Sequence, residues 1–165
     1  MAKAFKPVGF GPREPDAAEA PPRPGGVIRE RAGRAGREWN VLGQTYLPKE
    51  ITEASFAWHA LMPPHTGLPL HVHEEQDEFV YVLEGRLDFV IGGEETYATQ
   101  FDLVSLPRGV PHSMRNRSRH ICKALCWVAP TGGLPDLFEA IHHLPQQRLE
   151  DVVALGARHG VTFRE

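Results

Sequence analysis

Cysteine is nearly absent: the 165 residues hold two, Cys122 and Cys126. On one strand these would share a face with their Cα atoms roughly 13 Å apart, at ~3.3 Å per residue. A disulfide needs about 7 Å or less. That reading leaves no intrachain bridge, which fits a reducing compartment. Long apolar runs are missing too, and none approaches the ~20 residues of a membrane span. The first residues, Met1-Ala2-Lys3-Ala4-Phe5-Lys6-Pro7, lack the apolar stretch of a secretory signal. A cytoplasmic protein is the expectation. There is also no excess of one charge. Eighteen Lys and Arg face 21 Asp and Glu, a net charge of −3, so nothing marks a nucleic-acid or membrane partner. Arg29, Arg31, Arg34 and Arg37 do cluster, but Glu30 and Glu38 are interleaved with them. They read as a solvated edge and turn.

What is present divides the chain in two. Residues 1–26 hold six prolines and four glycines without hydrophobic periodicity, and Pro21-Pro22-Arg23-Pro24-Gly25-Gly26 is a strong breaker. This stretch reads as an extended N-terminal arm. Residues 27–165 read as one domain. Short apolar runs recur at 39–42, 44–48, 55–61, 70–73, 79–83, 86–91, 96–98, 102–106, 112–115 and 121–128, divided by Gly, Pro and Asn. Gly92-Gly93 is a hairpin signal. Many short strands between turn residues argue for an all-β sandwich or barrel. A closed jelly roll also protects the sheet edges. After Pro130-Thr131-Gly132-Gly133 the texture changes. Residues 136–143 read as a short helix. Residues 146–158 read as a better one, with Leu149, Val152, Val153 and Gly156 at i, i+3, i+4 and i+7. Both helices are expected to cover part of the barrel.

One stretch concentrates the chemistry. His71 and His73 are two apart on a predicted strand, so both imidazoles point to one face, their Cα atoms roughly 6–7 Å apart. Glu78 follows five residues later, at the start of Phe79-Val80-Tyr81-Val82-Leu83, and His112 lies downstream. The first stretch is His-x-His-x4-Glu-x6-Gly, ending at Gly85. The second is Pro107-x-Gly109-x2-His112-x3-Asn116.

Together these closely resemble the two motifs of the cupin superfamily, with the short intermotif spacing of small single-domain members. Trp39–Gly43, 79–85 and the tail 157–163 are similar to bacterial quercetin-dioxygenase-like cupins. The resemblance covers roughly residues 27–165 and implies a double-stranded β-helix, a jelly-roll barrel with short C-terminal helices. It also implies that His71, His73, Glu78 and His112 bind one divalent transition ion. The chemistry agrees, because three imidazoles and a carboxylate suit Fe, Mn, Ni, Cu or Zn and suit Mg or Ca poorly. Two positions depart from the family. Phe101 stands where a glycine usually opens the second motif, and His65 stands where one usually opens the first. Neither removes a donor atom.

Strand parity supplies the remaining candidates. If His112 faces inward, so do Met114 and Asn116. Cys122, Ala124, Cys126 and Val128 form another inward set, as do Leu87, Phe89 and Ile91. Met114, Asn116, Cys126 and Phe89 are the candidate substrate-pocket residues. Glu78 is the candidate general base.

The leading expectation is an oxygenase of quercetin-dioxygenase type acting on a small hydroxylated aromatic or enolizable compound. The alternatives are a non-oxidative isomerase or lyase, and a non-catalytic small-ligand cupin. A pocket plugged by its own aromatic side chains would favour the last. Ile121, Leu125 and Trp127 would face outward if the cysteines face in, so a homodimer is expected.

Overall fold

The computed structural model describes residues 25–164. The arm expected over 1–26 therefore lies outside the described residues, apart from Gly25 and Gly26. The strands are β1 (Trp39–Val41), β2 (Gln44–Ile51), β3 (Phe56–Met62), β4 (Gly67–His73), β5 (Asp77–Glu84), β6 (Arg86–Ile91), β7 (Glu94–Thr99), β8 (Leu103–Leu106), β9 (His112–Arg115), β10 (Cys122–Ala129) and β11 (Val161–Phe163). Two helices, α1 (Leu134–His142) and α2 (Leu149–Arg158), precede β11.

The strands form two antiparallel sheets. One runs β1-β2-β3-β10-β5-β8 and the other β11-β4-β9-β6-β7. This is the double-stranded β-helix, with the core between the sheets. The local patterns explain it. Along β10 the alternation is complete: Cys122, Ala124, Cys126 and Val128 are buried, and their neighbours are partly exposed. Both cysteines are free thiols. Gly92 and Gly93 close the β6–β7 hairpin, where Ile91 faces Glu94, and both have positive φ, 59° and 93°. A primed two-residue turn requires that sign, which glycine adopts without penalty.

Several elements differ from the sequence expectation: α1 starts two residues earlier, at Leu134, the tail adds the strand β11, and three further boundaries have a visible cause. β2 runs on through Pro48 to Ile51, but its register shifts between Pro48 and Glu50. Proline has no N–H for the ladder, and a bulge accommodates it. β4 begins at Gly67, with a shift between Leu68 and His71 around Pro69. α2 begins at Leu149 because Gln147 is used elsewhere. Its amide accepts from Leu42 N and donates to Asn40 O and Ile141 O, tying the inter-helix loop to β1.

α1 plugs one end of the barrel. Leu134, Leu137, Phe138 and Ile141 are buried. The Phe138 ring packs edge-on against Trp39, Tyr46, Phe56 and Trp58 at centroid distances of 5.0–5.9 Å. Burying a phenylalanine stabilises by about 1.5–3 kcal/mol, and each good aromatic pair adds about 0.5–1.5 kcal/mol. α2 is held more lightly, burying Val152 and Gly156. Among the described residues no helix is long and apolar enough to cross a membrane.

Candidate metal centre

Both sheets contribute to one cluster. β4 supplies His71 and His73, and β9 opens with His112, which pairs directly with His71. Glu78 comes from β5 in the opposite sheet. The ligand atoms of these four residues all lie within 4.8 Å of one another. All four side chains are buried, none more than 4% exposed. The His71 and His112 rings are 4.4 Å apart, and those of His71 and His73 5.2 Å.

Each imidazole is oriented through its other nitrogen. Nδ1 of His71 lies 2.8 Å from Pro69 O, Nδ1 of His112 2.9 Å from Val110 O, and Nδ1 of His73 3.0 Å from Gln76 Oε1. Carbonyl and amide oxygens only accept, so all three Nδ1 atoms carry the proton. Each Nε2 then presents a lone pair. Yet Nε2 of His73 and of His112 both sit 3.2 Å from the same atom, Glu78 Oε2. Lone pairs facing a carboxylate at that distance repel unless a positive charge lies among them. Protons on two of the rings would supply it. A transition ion does so while using every lone pair, with the outer-shell partners such ligands normally have. The residues fit the metal on these grounds.

The electrostatics carry the same tension. Burial, then the neighbouring His112 and His73, push His71 down to about 3. Burial also pulls on His73, but contact with Glu78 outweighs it and His73 is raised. The two differ because His73 touches the carboxylate, whereas the hydrogen bond of His71 goes to a neutral carbonyl. Burial opposes ionisation of Glu78, and the contacts from His112 and His73 outweigh that, holding it well below the usual carboxylate range.

The four candidate pocket residues are not in the lining of the cavity beside this cluster. Met114, Cys126 and Phe89 are buried in the hydrophobic core. Asn116 is buried as well, and its amide donates to Met62 O and His120 O, closing the turn that follows β9. The space beside the ligands is lined instead by residues such as Leu68, Leu137, Phe138, Val152 and Phe163. The cavity is ≈ 30 Å³, room for about two waters. Among the described residues, its lining side chains carry no polar group apart from His71, His73, Glu78 and the indole N–H of Trp58.

The tail closes it. Phe163 pairs with His71 across β11–β4 and its ring lies 5.6 Å from the imidazole. Sequence reasoning missed Gln76, buried in a run of acids. It also missed the closing role of Phe163, which no local periodicity marks.

The two family glycine positions are informative. Phe101 has φ 74° and His65 has φ 62°. Both turns therefore keep the left-handed conformation, adopted here by residues with a Cβ.

The model of the cupin domain family matches residues 58–128, which span β3 to β10 and include all four residues of the cluster. That stretch, the middle of the barrel, is what the chain shares with cupin domains. Over 52 residues it is 40% identical to quercetin 2,3-dioxygenase of Bacillus subtilis (strain 168), covering 32% of this chain and 15% of that protein. Over 84 residues it is 25% identical to the tetracenomycin polyketide synthase protein TcmJ of Streptomyces glaucescens, covering 51% of this chain and 56% of that one. The chain thus spans less than two thirds of these relatives. Among solved structures, TT1209 from Thermus thermophilus superposes with a TM-score of 0.55 at 27% identity, over 63% of this chain and 97% of that one.

Proposed function

We propose that this cupin is a metal-dependent oxygenase of quercetin-dioxygenase type, acting on a small hydroxylated, largely apolar aromatic or enolizable compound. One observation carries the reading. Three imidazoles with free Nε2 lone pairs and one carboxylate converge beside a cavity with no Lys or Arg in its lining. Such walls favour a neutral hydrocarbon frame over a phosphorylated or highly charged one. The stretch shared with the Bacillus dioxygenase is consistent with it.

A bound transition ion would supply Lewis acidity to a coordinated hydroxyl and, if redox-active, an electron path to dioxygen. The protein's share is positional. His71, His73 and His112 are aimed by their Nδ1–H bonds. Glu78 stays ionised and is the group placed to accept a hydroxyl proton. A carboxylate held that low is a weak base, so it serves only a hydroxyl that is itself acidified. The apolar wall excludes bulk water.

The size of the cavity favours a second reading, a non-catalytic cupin that holds a small ligand. The test is to load metal-free protein with Fe, Mn, Ni and Cu in turn and follow oxygen uptake with flavonols and catechols. Uptake with at least one ion is expected, and none with any ion refutes the oxygenase. Turnover that persists without oxygen would instead mark an isomerase or lyase. We also read the protein as a cytoplasmic homodimer. Trp127 and Phe79 stack at 5.2 Å while only partly buried, and Ile121 is exposed. A molar-mass measurement on the full chain checks the assembly.

A further inference from the structure

Two tryptophans are sunk in the aromatic cluster, and they are not equivalent. Trp39 donates its indole N–H to Glu139 Oε2 on α1 at 2.5 Å. Trp58 is 1% exposed, and its Nε1 has no hydrogen-bond partner among the described residues. A buried donor without an acceptor is destabilising and uncommon enough in native folds to call for a specific cause. Trp58 also lines the cavity beside His71, His73 and Glu78. The sheet register explains why. Trp58 faces Cys126, which faces Val80 on β5, two residues from Glu78 on the same face. The indole and the carboxylate thus look into the barrel from one sheet.

We propose that the Trp58 indole N–H is a specificity-determining donor that holds a neutral acceptor oxygen on the molecule taken up by this site. The proposal rests on the reading of the site as one for apolar oxygenated compounds, and it narrows that class. An indole N–H donates once, accepts nothing and carries no charge. It matches a carbonyl or ether oxygen. It cannot neutralise a carboxylate or phosphate, and no Lys or Arg in the wall does so. A second hydroxyl acting as donor gains nothing from it. The favoured ligand is therefore a hydroxy-ketone, a lactone or a quinone-like molecule, with one oxygen toward Glu78 and the imidazoles and another on Trp58, and it enters only as the ≈ 30 Å³ cavity widens around it. A neutral hydrogen bond of this kind corresponds to about a 2- to 12-fold preference.

The test uses full-length protein labelled with ¹⁵N and loaded with Zn(II), which is redox-silent and permits no oxidative turnover. Two probes of equal heavy-atom count are compared, 4-hydroxyacetophenone, which has a carbonyl, and 4-isopropylphenol, which carries a methyl in place of that oxygen. The Trp58 indole cross-peak should move with the ketone and stay with the alkylphenol. The ketone should bind about 2- to 12-fold tighter, and Trp58→Phe should abolish that preference. A cross-peak that responds equally to both probes, or a preference that survives in W58F, overturns the proposal. If W58F does not fold, the wild-type cross-peak, assigned through the backbone, still decides. If neither probe binds, it is the broader reading of the site that fails. The donor is then judged from a crystal structure of the Zn(II)-loaded protein. A water or other non-protein oxygen on Nε1 inside the cavity supports it, and a protein acceptor there overturns it.

Discussion

Replacing Gln76 with leucine separates a positioning role from a structural one. The side chain is 3% exposed. Its Oε1 accepts from His73 Nδ1 at 3.0 Å, and its Nε2 donates to Pro130 O at 3.1 Å and also to Thr131 O. It therefore ties a metal-site histidine to the loop that launches α1. Leucine is of similar bulk but makes none of these bonds. Three bonds at about 0.5–1.5 kcal/mol each destabilise the fold by roughly 2–4 kcal/mol in total. For a domain of this size that lowers Tm by about 5–15 °C.

The second effect falls on the metal. Without an acceptor for its Nδ1–H, the His73 ring is free to turn or change tautomer. Partners of this kind are worth about 10–100-fold in metal affinity, or roughly 1.4–2.7 kcal/mol. The assay is competition with a chromophoric chelator at a temperature where wild type and variant are both folded, beside thermal unfolding of the metal-free proteins. Thr131→Ala is the control. It removes the Thr131 Oγ1–Thr52 O hydrogen bond in the same loop without touching Gln76. The control should lower Tm and leave metal affinity unchanged, whereas Q76L should lower both. A Q76L protein with wild-type affinity and a lowered Tm would refute the positioning role.

Further outcomes follow from other parts of the molecule. In the metal-free protein His71 is held neutral down to about 3, while an unfolded histidine titrates near 6.5. The unfolded chain binds the extra proton, so the His71 contribution is intact above pH ~6.5 and is lost as pH falls toward the folded value, at up to about 1.4 kcal/mol per unit. His73, which is raised, works in the opposite sense. Urea midpoints of wild type and His71→Ala between pH 7 and 4 check this, and a wild-type slope no steeper than that of the variant would count against it. Gly85→Ala should destabilise by about 2–4 kcal/mol, since φ is 90° and an added Cβ would lie 2.7 Å from Cys122 Sγ. Wild-type stability in chemical denaturation would remove that argument. The α2–β11 segment should exchange its amides well before β10, because β11 pairs with β4 over three residues and α2 buries two. Equal protection would show that this segment is as firmly held as the sheet.

The legible part of the site had a shared physical origin. Inward parity on β10 and the common face of His71 and His73 follow from the two-residue period of a strand, which neighbouring residues fix by themselves. The fixed offsets from His71 to Glu78 and Gly85, and from Pro107 to His112, let the four residues that cluster be named. Parity was less useful for the pocket. Met114, Cys126 and Phe89 do point inward, but inward positions serve the core along most of the barrel. The cavity beside His71, His73 and Glu78 is lined instead largely from β1, the two helices and β11. The departure at Phe101 was legible as a substitution, whereas its φ of 74° was not.

By itself, then, the sequence determined an all-β chain, the faces of its strands and the four donor residues, since these depend on local alternation and on chemistry carried by each side chain. Tertiary structure decided what surrounds them. The β4–β9 pairing that sets His112 against His71, the reach of Gln76 to His73 and Pro130, and the pairing of Phe163 with His71 each join residues through the packing of the whole barrel. No local pattern specifies such contacts, because they appear only once the two sheets close and the tail folds back across the ligands.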